Sequence, residues 1–203
     1  MYVLAVTGGI GSGKTTAARL FGEWGAVVLD LDDVAKRMIA PDGPLAGSVT
    51  AEFGTGILGA DGAVDPAALA EAAFASPQAA KRLNAIMHPG VLAAVAGALD
   101  MLAAQGRPPA VVAIDIPLLA EAPEFFDIVD GVLVISADED SRIERLAARG
   151  MSEEEAHARM ECQVDDSERR AIADWVIEND GALSEFTEDL AAFWSQEVVP
   201  RVS

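Results

Sequence analysis

The sequence is poor in cysteine and in basic residues. Only one of its 203 residues is a cysteine, Cys162, which excludes an internal disulfide and fits a reducing compartment. Lys and Arg number 14 against 33 Asp and Glu, so the net charge is −19 and the surface repels nucleic acids and anionic membranes. We therefore expect neither as a partner, although a few clustered basic side chains can still hold a small anion.

Long hydrophobic runs and a basic N-terminal region are also missing. Apolar residues make up 51% of the chain, but charge or glycine interrupts their runs. The first residues, Met-Tyr-Val-Leu-Ala-Val, lack the basic start of a secretory signal. These absences predict a cytoplasmic protein with no segment that can span a bilayer. We also expect a monomer.

Short apolar segments alternate with helical patterns along the chain. The apolar segments predict buried strands at 2–6, 26–29, 110–116 and 131–135, and a last short strand at 175–177. Helical periodicity is found at 15–24, 33–39, 138–163 (with a break at Gly150) and 183–194. Strands that alternate with helices form a parallel sheet covered on both faces. The sequence thus predicts an α/β fold of three layers.

The loop between the first predicted strand and helix carries a motif. Residues 8–15 read GGIGSGKT and fit the phosphate-loop pattern GxxxxGK[ST]. Residues without a β-carbon let successive N–H groups curl round a polyphosphate, and the following helix adds its positive end. Lys14 is expected to reach the β- and γ-phosphates of ATP, and the Thr15 hydroxyl to ligate Mg²⁺. The predicted nucleotide-binding residues here are Gly9, Ile10, Gly11, Ser12, Gly13, Lys14, Thr15 and Thr16.

Several classes of protein bind nucleoside triphosphates. The sequence has no guanine-reading Asn-Lys-x-Asp segment, which argues against a GTPase switch, and it is short for a motor ATPase. The character of the chain changes over residues 41–106, and 66–106 are almost wholly helical in pattern, with breaks at Ser76-Pro77 and at His88-Pro89. This organisation favours a small-molecule kinase, because an insertion can hold an acceptor and charged helices can close as a lid.

We divide the chain accordingly into three parts. Residues 41–85 are predicted to form a helical acceptor-binding insertion, and residues 138–165 a lid. The phosphate-loop core comprises 1–40, 86–137 and 166–203, and a new helix after His88 is expected to return to it.

Carboxylates cluster after the second predicted strand, where residues 29–33 read LDLDD. Ligands gather at the carboxyl edge of a parallel sheet, and phosphoryl transfer needs a base or an orienting group beside the acceptor hydroxyl. We assign this role to Asp32. If Asp30 and Asp32 both remain extended they point the same way, so Asp30 is expected to assist the metal or the acceptor, and Asp33 to cap the next helix.

Arginines are concentrated in the stretch SRIERLAARGMSEEEAHARMECQ, residues 141–163. Arg142, Arg145 and Arg149 are three or four residues apart and share one face of a helix. Guanidinium groups neutralise charge on a transferring phosphoryl group. We assign a catalytic role to Arg145 and place Arg142, Arg149 and Arg159 in the lid. A solvated helix with Glu–Arg pairs is the alternative for Arg142 and Arg149.

The ordered set of motifs resembles the dephospho-CoA kinase family over almost the whole chain. The stretches that carry the resemblance are VTGGIGSGKTT, GAVVLDLDDVAK, FGTGILGADGAVDPAALAEAAF, LNAIMHPGV, IPLLAE, RLAARGMSEEEAHARMECQ and ADWVIENDG. The first is shared by many kinases, whereas the set is specific. The resemblance implies transfer of the ATP γ-phosphoryl group to the ribose 3′-hydroxyl of dephospho-CoA, giving CoA and ADP in the last step of coenzyme A biosynthesis.

The resemblance also implies roles for individual residues. It makes Asp32 the base and places Arg145 near the phosphates. His88 is interpreted as structural or acceptor-positioning. The residues assigned to substrates on this basis are Asn179 and Gly181 at the adenine end of ATP, and Asp32, His88 and Leu118 at the acceptor.

Four positions depart from the family pattern. Pro66 and Ala120 stand where Arg and Phe are usual, and both bear on acceptor binding. Arg142 and Arg169 stand where Gln and Lys are common. Two alternatives therefore stay open, namely another small-molecule or nucleotide kinase and an ATP-binding protein without catalytic activity.

Four further side chains receive predictions. Asp115, at the end of the third strand, can hold Mg²⁺ through water, although Pro117 can redirect the segment. Cys162 is expected to be a small packed side chain on a helix. Trp24 and Trp194 are expected to pack in the core.

Overall fold

The computed structural model describes residues 1–117 and 119–202, with the side chains of Phe74, Pro77 and Glu121 left out. Within it the chain forms two compact units, Met1–Asp30 with Leu102–Ser203, and Leu31–Met101. The helices are α1 (Lys14–Glu23), α2 (Leu31–Met38), α3 (Ala46–Phe53), α4 (Pro66–Phe74), α5 (Pro77–Ala103), α6 (Glu139–Ala147), α7 (Glu153–Glu161), α8 (Asp166–Ala171) and α9 (Leu183–Phe193).

The first unit is built on a five-stranded parallel sheet. Its strands are β1 (Tyr2–Thr7), β2 (Val27–Asp30), β3 (Val111–Asp115), β4 (Gly131–Ser136) and β5 (Trp175–Glu178), in the order β2-β3-β1-β4-β5. Strands β3 and β4 are buried along their whole length, as expected when helices cover both faces of a sheet. All the predicted strands form, each to within one residue at either end, but the prediction that β2 is buried is wrong, since β2 lies at the edge of the sheet and Val28 is 37% exposed.

The parallel register brings the carboxyl ends of three strands together at one edge of the sheet. Val6 of β1 and Asp30 of β2 both pair with Asp115 of β3. Asp115 is 3% exposed, so this edge holds a buried carboxylate between the first two strands of the sequence. Lys14 and Thr15 of the loop described below contact Asp115 at this edge.

Aromatic side chains close one side of the core of the first unit. The rings of Phe21 and Trp194 stack with centroids 5.2 Å apart, and Trp24 lies 5.8 Å from Phe21. Both tryptophans pack against the buried cluster that includes Leu4, Phe21 and Leu190, so the prediction that they belong to the core is confirmed.

The second unit has a small core of its own. Its buried side chains come from successive elements between α2 and α4: Ile39, Val49, Ile57, Val64 and Leu69. The Asp65 carboxylate caps α4 by accepting from the N–H of Ala67 at 2.8 Å. This compact unit begins earlier and ends later than the predicted insertion of 41–85, because α2 follows β2 directly and α5 continues to Ala103.

Helix α5 differs from its prediction. The break at Ser76-Pro77 is confirmed, but the break at His88-Pro89 is wrong, since α5 runs through Pro89. Pro89 removes one backbone donor from the helix. Val91, Val95 and Leu99 recur at intervals of four residues and are all buried, and this apolar stripe holds the helix together beyond the proline.

The same helix corrects the expectation that no segment can span a bilayer. By length and composition Gln78–Ala103 qualifies, with a mean hydropathy of 1.6 and 22% of the window buried. The core helix of a soluble protein passes the same test, so one such helix is weak evidence for a membrane span.

Replacing Gly97 with Ala is expected to stabilise the protein by about 1 kcal/mol, because Ala has the higher helix propensity. A β-carbon at Gly97 of α5 meets nothing within 4 Å. The control is Gly90→Ala, which gains the same propensity but places the β-carbon 2.7 Å from Leu45 Cδ1. Urea denaturation should show the larger gain for Gly97→Ala, and an equal effect of the two substitutions would contradict this.

Candidate active site

The phosphate loop, residues 8–15, joins the end of β1 to the start of α1. Gly11 and Gly13 have φ values of 79° and 106°, in the left-handed region that favours glycine. Gly13 is also the N-cap of α1, and no side chain caps this helix end. The first N–H groups of α1 therefore remain for a ligand, which is the arrangement that binds phosphate groups.

A small cleft of about 100 Å³ lies along the loop. Apart from Ser12, which is buried, every residue predicted at this loop lines the cleft. Arg149, from outside the loop, also lines the cleft. The lining residues are Gly9, Ile10, Gly11, Gly13, Lys14, Thr15, Thr16 and Arg149.

Asp115 connects the loop to the edge of the sheet. Its Oδ2 accepts a hydrogen bond of 2.9 Å from Thr15 Oγ1, and its Oδ1 lies 3.3 Å from Lys14 Nζ. Burial raises the pKa of the Asp115 carboxyl, while the Lys14 charge and the Thr15 hydroxyl oppose that rise. Asp115 pairs with Val6 of β1, so the nearby Pro117 does not displace it from β3. Asp115, the second residue considered for Mg²⁺, thus lies beside Thr15, the predicted magnesium ligand.

Two side chains from outside the motif bind the backbone of Ile10, and a third, Arg169, contacts one of these two. Arg142 Nε donates to the Ile10 carbonyl at 2.8 Å, and the Ile10 N–H donates to Gln163 Oε1 at 3.0 Å. Arg169, which is 4% exposed, donates to Gln163 and to the carbonyl of Val164. Sequence reasoning gave Gln163 and Arg169 no role, because contacts across 153 residues leave no local pattern.

Gly9 makes this close approach feasible. A β-carbon on Gly9 would lie 2.9 Å from Arg142 Nη2 and 3.2 Å from Arg169 Nη1. Burial lowers the pKa of Arg142, and the neighbouring charge of Arg169 lowers it further. Two guanidinium groups beside the loop make this part of an acidic protein favourable for an anion.

The predicted lid arginines do not share one role. Arg142 contacts the loop and Arg149 lines its cleft, whereas Arg145 donates from Nη2 to the Asn179 carbonyl at 2.6 Å and to Asn179 Oδ1 at 3.2 Å. Arg159 is exposed on α7. The left-handed Gly150, φ 86°, separates α6 from α7, as the pattern predicted.

The residues assigned to adenine follow β5. Asn179 is 6% exposed, and its Nδ2 donates to the Ser12 carbonyl of the loop at 2.7 Å. Gly181 is exposed, and a β-carbon there would lie 2.2 Å from Glu185 Oε2. Glu185 Oε2 accepts from the N–H of Ala182 at the start of α9, so Gly181 leaves room for this capping contact.

The carboxylates after β2 are arranged differently from the prediction. Helix α2 begins at Leu31, so Asp32 and Asp33 lie in its first turn and only Asp30 is extended. The expectations that Asp30 and Asp32 are extended together and that Asp33 caps the helix are therefore wrong. Acidic residues favour the positive N-terminal end of a helix, which explains the earlier start.

Asp32 lines a cleft of about 350 Å³ within the second unit. Apart from Asp32 and Lys36, its walls are apolar and come from α2 and the residue after it, from α4 and from α5: Ala35, Ile39, Pro66, Leu69, Ala70, Leu83 and Met87. Pro66, where the family usually has Arg, thus contributes an apolar wall to the cleft that holds Asp32.

Leu118 lies outside the described residues. His88 is half-buried in the middle of α5. Cys162 is exposed at the C-cap of α7, so the prediction of a packed thiol is wrong, because the helix ends before it can bury that position.

A larger cavity, of about 600 Å³, lies among α6, α7 and α8. Arg142 and Arg169 line it, but so do five carboxylates, Asp138, Glu139, Glu161, Asp165 and Asp166. So many negative charges disfavour a polyphosphate, so the loop cleft is the better candidate for the triphosphate despite its smaller volume.

Known structures share this fold. The crystal structure of TT1252 from Thermus thermophilus is similar with a TM-score of 0.78 and 34% identity, covering 97% of both chains. Dephospho-CoA kinase from Campylobacter jejuni has a TM-score of 0.70 and 22% identity, covering 97% of this chain and 96% of that one. Shikimate kinase from Bacteroides thetaiotaomicron, at 14% identity, has a TM-score of 0.51. The predicted P-loop NTPase fold with a parallel sheet and flanking helices is confirmed.

Sequence comparison reaches the same family as the motifs. The protein-family model for dephospho-CoA kinase matches residues 2–185. The dephospho-CoA kinase of Frankia casuarinae is 38% identical over 203 residues, covering 99% of this chain and 85% of that protein. That of Streptomyces avermitilis is 40% identical, covering 98% of this chain and 95% of that protein. The resemblance is confirmed, and this chain belongs to the dephospho-CoA kinase family of transferases.

Proposed function

We propose that this protein transfers the γ-phosphoryl group of ATP to the ribose 3′-hydroxyl of dephospho-CoA, giving CoA and ADP, in the last step of coenzyme A biosynthesis. The observation that carries the proposal is the phosphate loop with Lys14, Thr15 and Asp115 at the carboxyl edge of the sheet, in a chain of this family. We further propose a monomer that acts in the cytoplasm.

The loop would bind the triphosphate of ATP. Backbone N–H groups of the loop and of the first turn of α1 would donate to phosphate oxygens. Lys14 would exchange its contact with Asp115 for the β- and γ-phosphates, and Arg149, which lines the same cleft, would neutralise further charge. Lys14 would thus exchange a carboxylate for phosphate groups that carry more negative charge.

The residues at the loop fit a magnesium ion. Thr15 Oγ1 and Asp115 Oδ2 are 2.9 Å apart, and a hydroxyl and a carboxylate are the hard oxygen donors that Mg²⁺ prefers. The described residues contain no group of three His, Cys, Asp or Glu that could hold a metal, so phosphate oxygens and water would complete the coordination. Bound there, Mg²⁺ would supply positive charge to the phosphates.

Asp32 would act as the base. The 3′-hydroxyl oxygen forms a bond to the γ-phosphorus, the bond from that phosphorus to the β-phosphate oxygen breaks, and Asp32 accepts the hydroxyl proton. Asp32 is exposed at the rim of a mainly apolar cleft, which suits the flat face of a nucleobase beside a ribose. His88 and Leu118 are proposed to help position this acceptor.

We propose that 138–165 closes over the phosphates as a lid. Gly150 separates α6 from α7, and a left-handed glycine between two helices provides a hinge. Arg159 is exposed, so its contribution to the phosphates would depend on movement of α7. Arg142 already contacts the loop through Ile10 and would need no such movement.

One assay tests the proposal. The purified chain is incubated with ATP, Mg²⁺ and dephospho-CoA, and the products are identified by mass. We expect CoA and an equal amount of ADP, and no product from the 3′-deoxy analogue, which lacks the accepting hydroxyl. A panel of nucleosides and sugar acids distinguishes the alternatives. Turnover of another acceptor instead would indicate a different kinase, and ATP binding without any product would indicate a protein without catalytic activity.

A further inference from the structure

A line of hydrogen bonds joins α6 to the phosphate loop through Asn179. Arg145 Nη2 donates to the carbonyl and to the side-chain Oδ1 of Asn179, at 2.6 and 3.2 Å. Asn179 Nδ2 donates in turn to the Ser12 carbonyl at 2.7 Å. The backbone N–H of Asn179 donates to the Ser136 carbonyl at the end of β4, at 2.8 Å, which fixes Asn179 to the sheet.

The contact with Ser12 determines where a loop N–H points. In a trans peptide the carbonyl and the following N–H are antiparallel. Because Asn179 holds the Ser12 carbonyl, the N–H of Gly13 is directed the opposite way. Gly13 lines the loop cleft and is the N-cap of α1, so its N–H belongs to the group that binds a polyphosphate.

Arg145 determines the orientation of the Asn179 amide. A guanidinium group only donates hydrogen bonds, so it requires the amide oxygen on its own side. The amide NH₂ then necessarily faces the Ser12 carbonyl. Gly13 provides the space, because a β-carbon there would lie 2.4 Å from Asn179 Nδ2. The burial of Asn179, 6% exposed, keeps water from replacing either partner.

We infer that Asn179 and Arg145 are positioning residues of the phosphate loop, which act on the triphosphate through Ser12 and Gly13 and not on the nucleoside. The inference rests on the proposed function only in that the ligand is ATP. It differs from the adenine contact that the family resemblance implies for Asn179, and from the catalytic role that the arginine pattern predicts for Arg145. Neither residue lines the loop cleft, which agrees with action through the backbone.

Inorganic tripolyphosphate distinguishes the two roles, since it carries the phosphates without the nucleoside. In Asn179→Asp the donor to Ser12 is lost and two oxygens face each other. We expect the Kd values for ATP and for tripolyphosphate, measured by calorimetry, to rise by the same factor, about tenfold or more. The control is Asn84→Asp, the same substitution at an exposed position of α5, which should change neither Kd.

A second series does not depend on the folding of that variant. Arg145→Ala should weaken both ligands about threefold to tenfold, and Arg145→Lys should recover part of the loss, since an ammonium group can still donate to Asn179. Arg107→Ala, at an exposed position after α5, removes the same charge as a control. In steady-state kinetics, KM for ATP should rise more than KM for dephospho-CoA.

The opposite results would overturn the inference. If ATP binding weakens while the tripolyphosphate Kd is unchanged, the pair acts on the nucleoside. If neither Kd changes, the pair does not position the loop. Failure of the proposed function would be visible separately, as a wild-type protein that binds tripolyphosphate and forms no CoA.

Discussion

Replacing Asp32 with Asn is expected to lower kcat for phosphoryl transfer by about 10²- to 10⁴-fold, the usual contribution of a general base. Asn has the same shape but cannot accept the hydroxyl proton. The Kd for ATP should remain within about twofold, because Asp32 belongs to the proposed acceptor site and the phosphate loop is unchanged. Rapid-quench measurement of a single turnover, together with calorimetric titration of ATP, checks both halves of this expectation.

The neighbouring residue provides the control for Asp32. Asp33 lies in the same first turn of α2, is also exposed, and pairs with Lys36 at 3.1 Å. Asp33→Asn therefore makes the same change in charge at the same end of the helix. It should leave kcat within about twofold, since surface substitutions have small effects. An equal loss in the two variants would point to helix charge and not to proton transfer.

The second large effect is expected at Lys14. In Lys14→Met the side chain keeps a similar length but has no charge for the β- and γ-phosphates. We expect kcat/KM for ATP to fall by about 10²- to 10³-fold, the range found when one donor to transition-state charge is removed. The variant also leaves Asp115 without its cationic partner at 3.3 Å, so protonation of this buried carboxyl should become easier.

Lys81→Met is the matched control for Lys14→Met. Lys81 is exposed on α5, and its loss changes the net charge by the same amount. Its kcat/KM should equal that of the unmodified protein when ADP release is followed. If Lys14→Met retained most of its activity, the loop would not be the site of the transferred phosphoryl group.

Features that depend on neighbours in sequence could be predicted. The glycines, Lys14 and Thr15 follow one another, and their pattern alone identified the loop cleft. The strands were also found locally, since each is a short apolar run between breaks. Helix α2 begins two residues before its predicted start, because the carboxylates of Asp32 and Asp33 stabilise the helix end more than a continuation of β2.

Features that depend on the order of strands could not be predicted to the same extent. Asp115 is 100 residues from Thr15, and only the placement of β3 beside β1 brings their side chains together. The same holds for Gln163, which reaches Ile10 from the end of α7. The break predicted at Pro89 is wrong for a related reason. The buried apolar stripe that keeps α5 continuous forms only in the folded unit.

The two hydrogen bonds to the backbone of Ile10 affect how a nucleotide binds to the loop. Both backbone groups of this residue are already engaged, the N–H by Gln163 and the carbonyl by Arg142. The loop therefore meets its ligand preorganised, and little conformational entropy is lost on association. To use the Ile10 amide, an incoming group must displace a neutral amide oxygen. An ionised phosphate oxygen accepts a hydrogen bond more strongly than the amide oxygen of Gln163 does. Uncharged groups such as water or a sugar hydroxyl lack this advantage and do not displace Gln163.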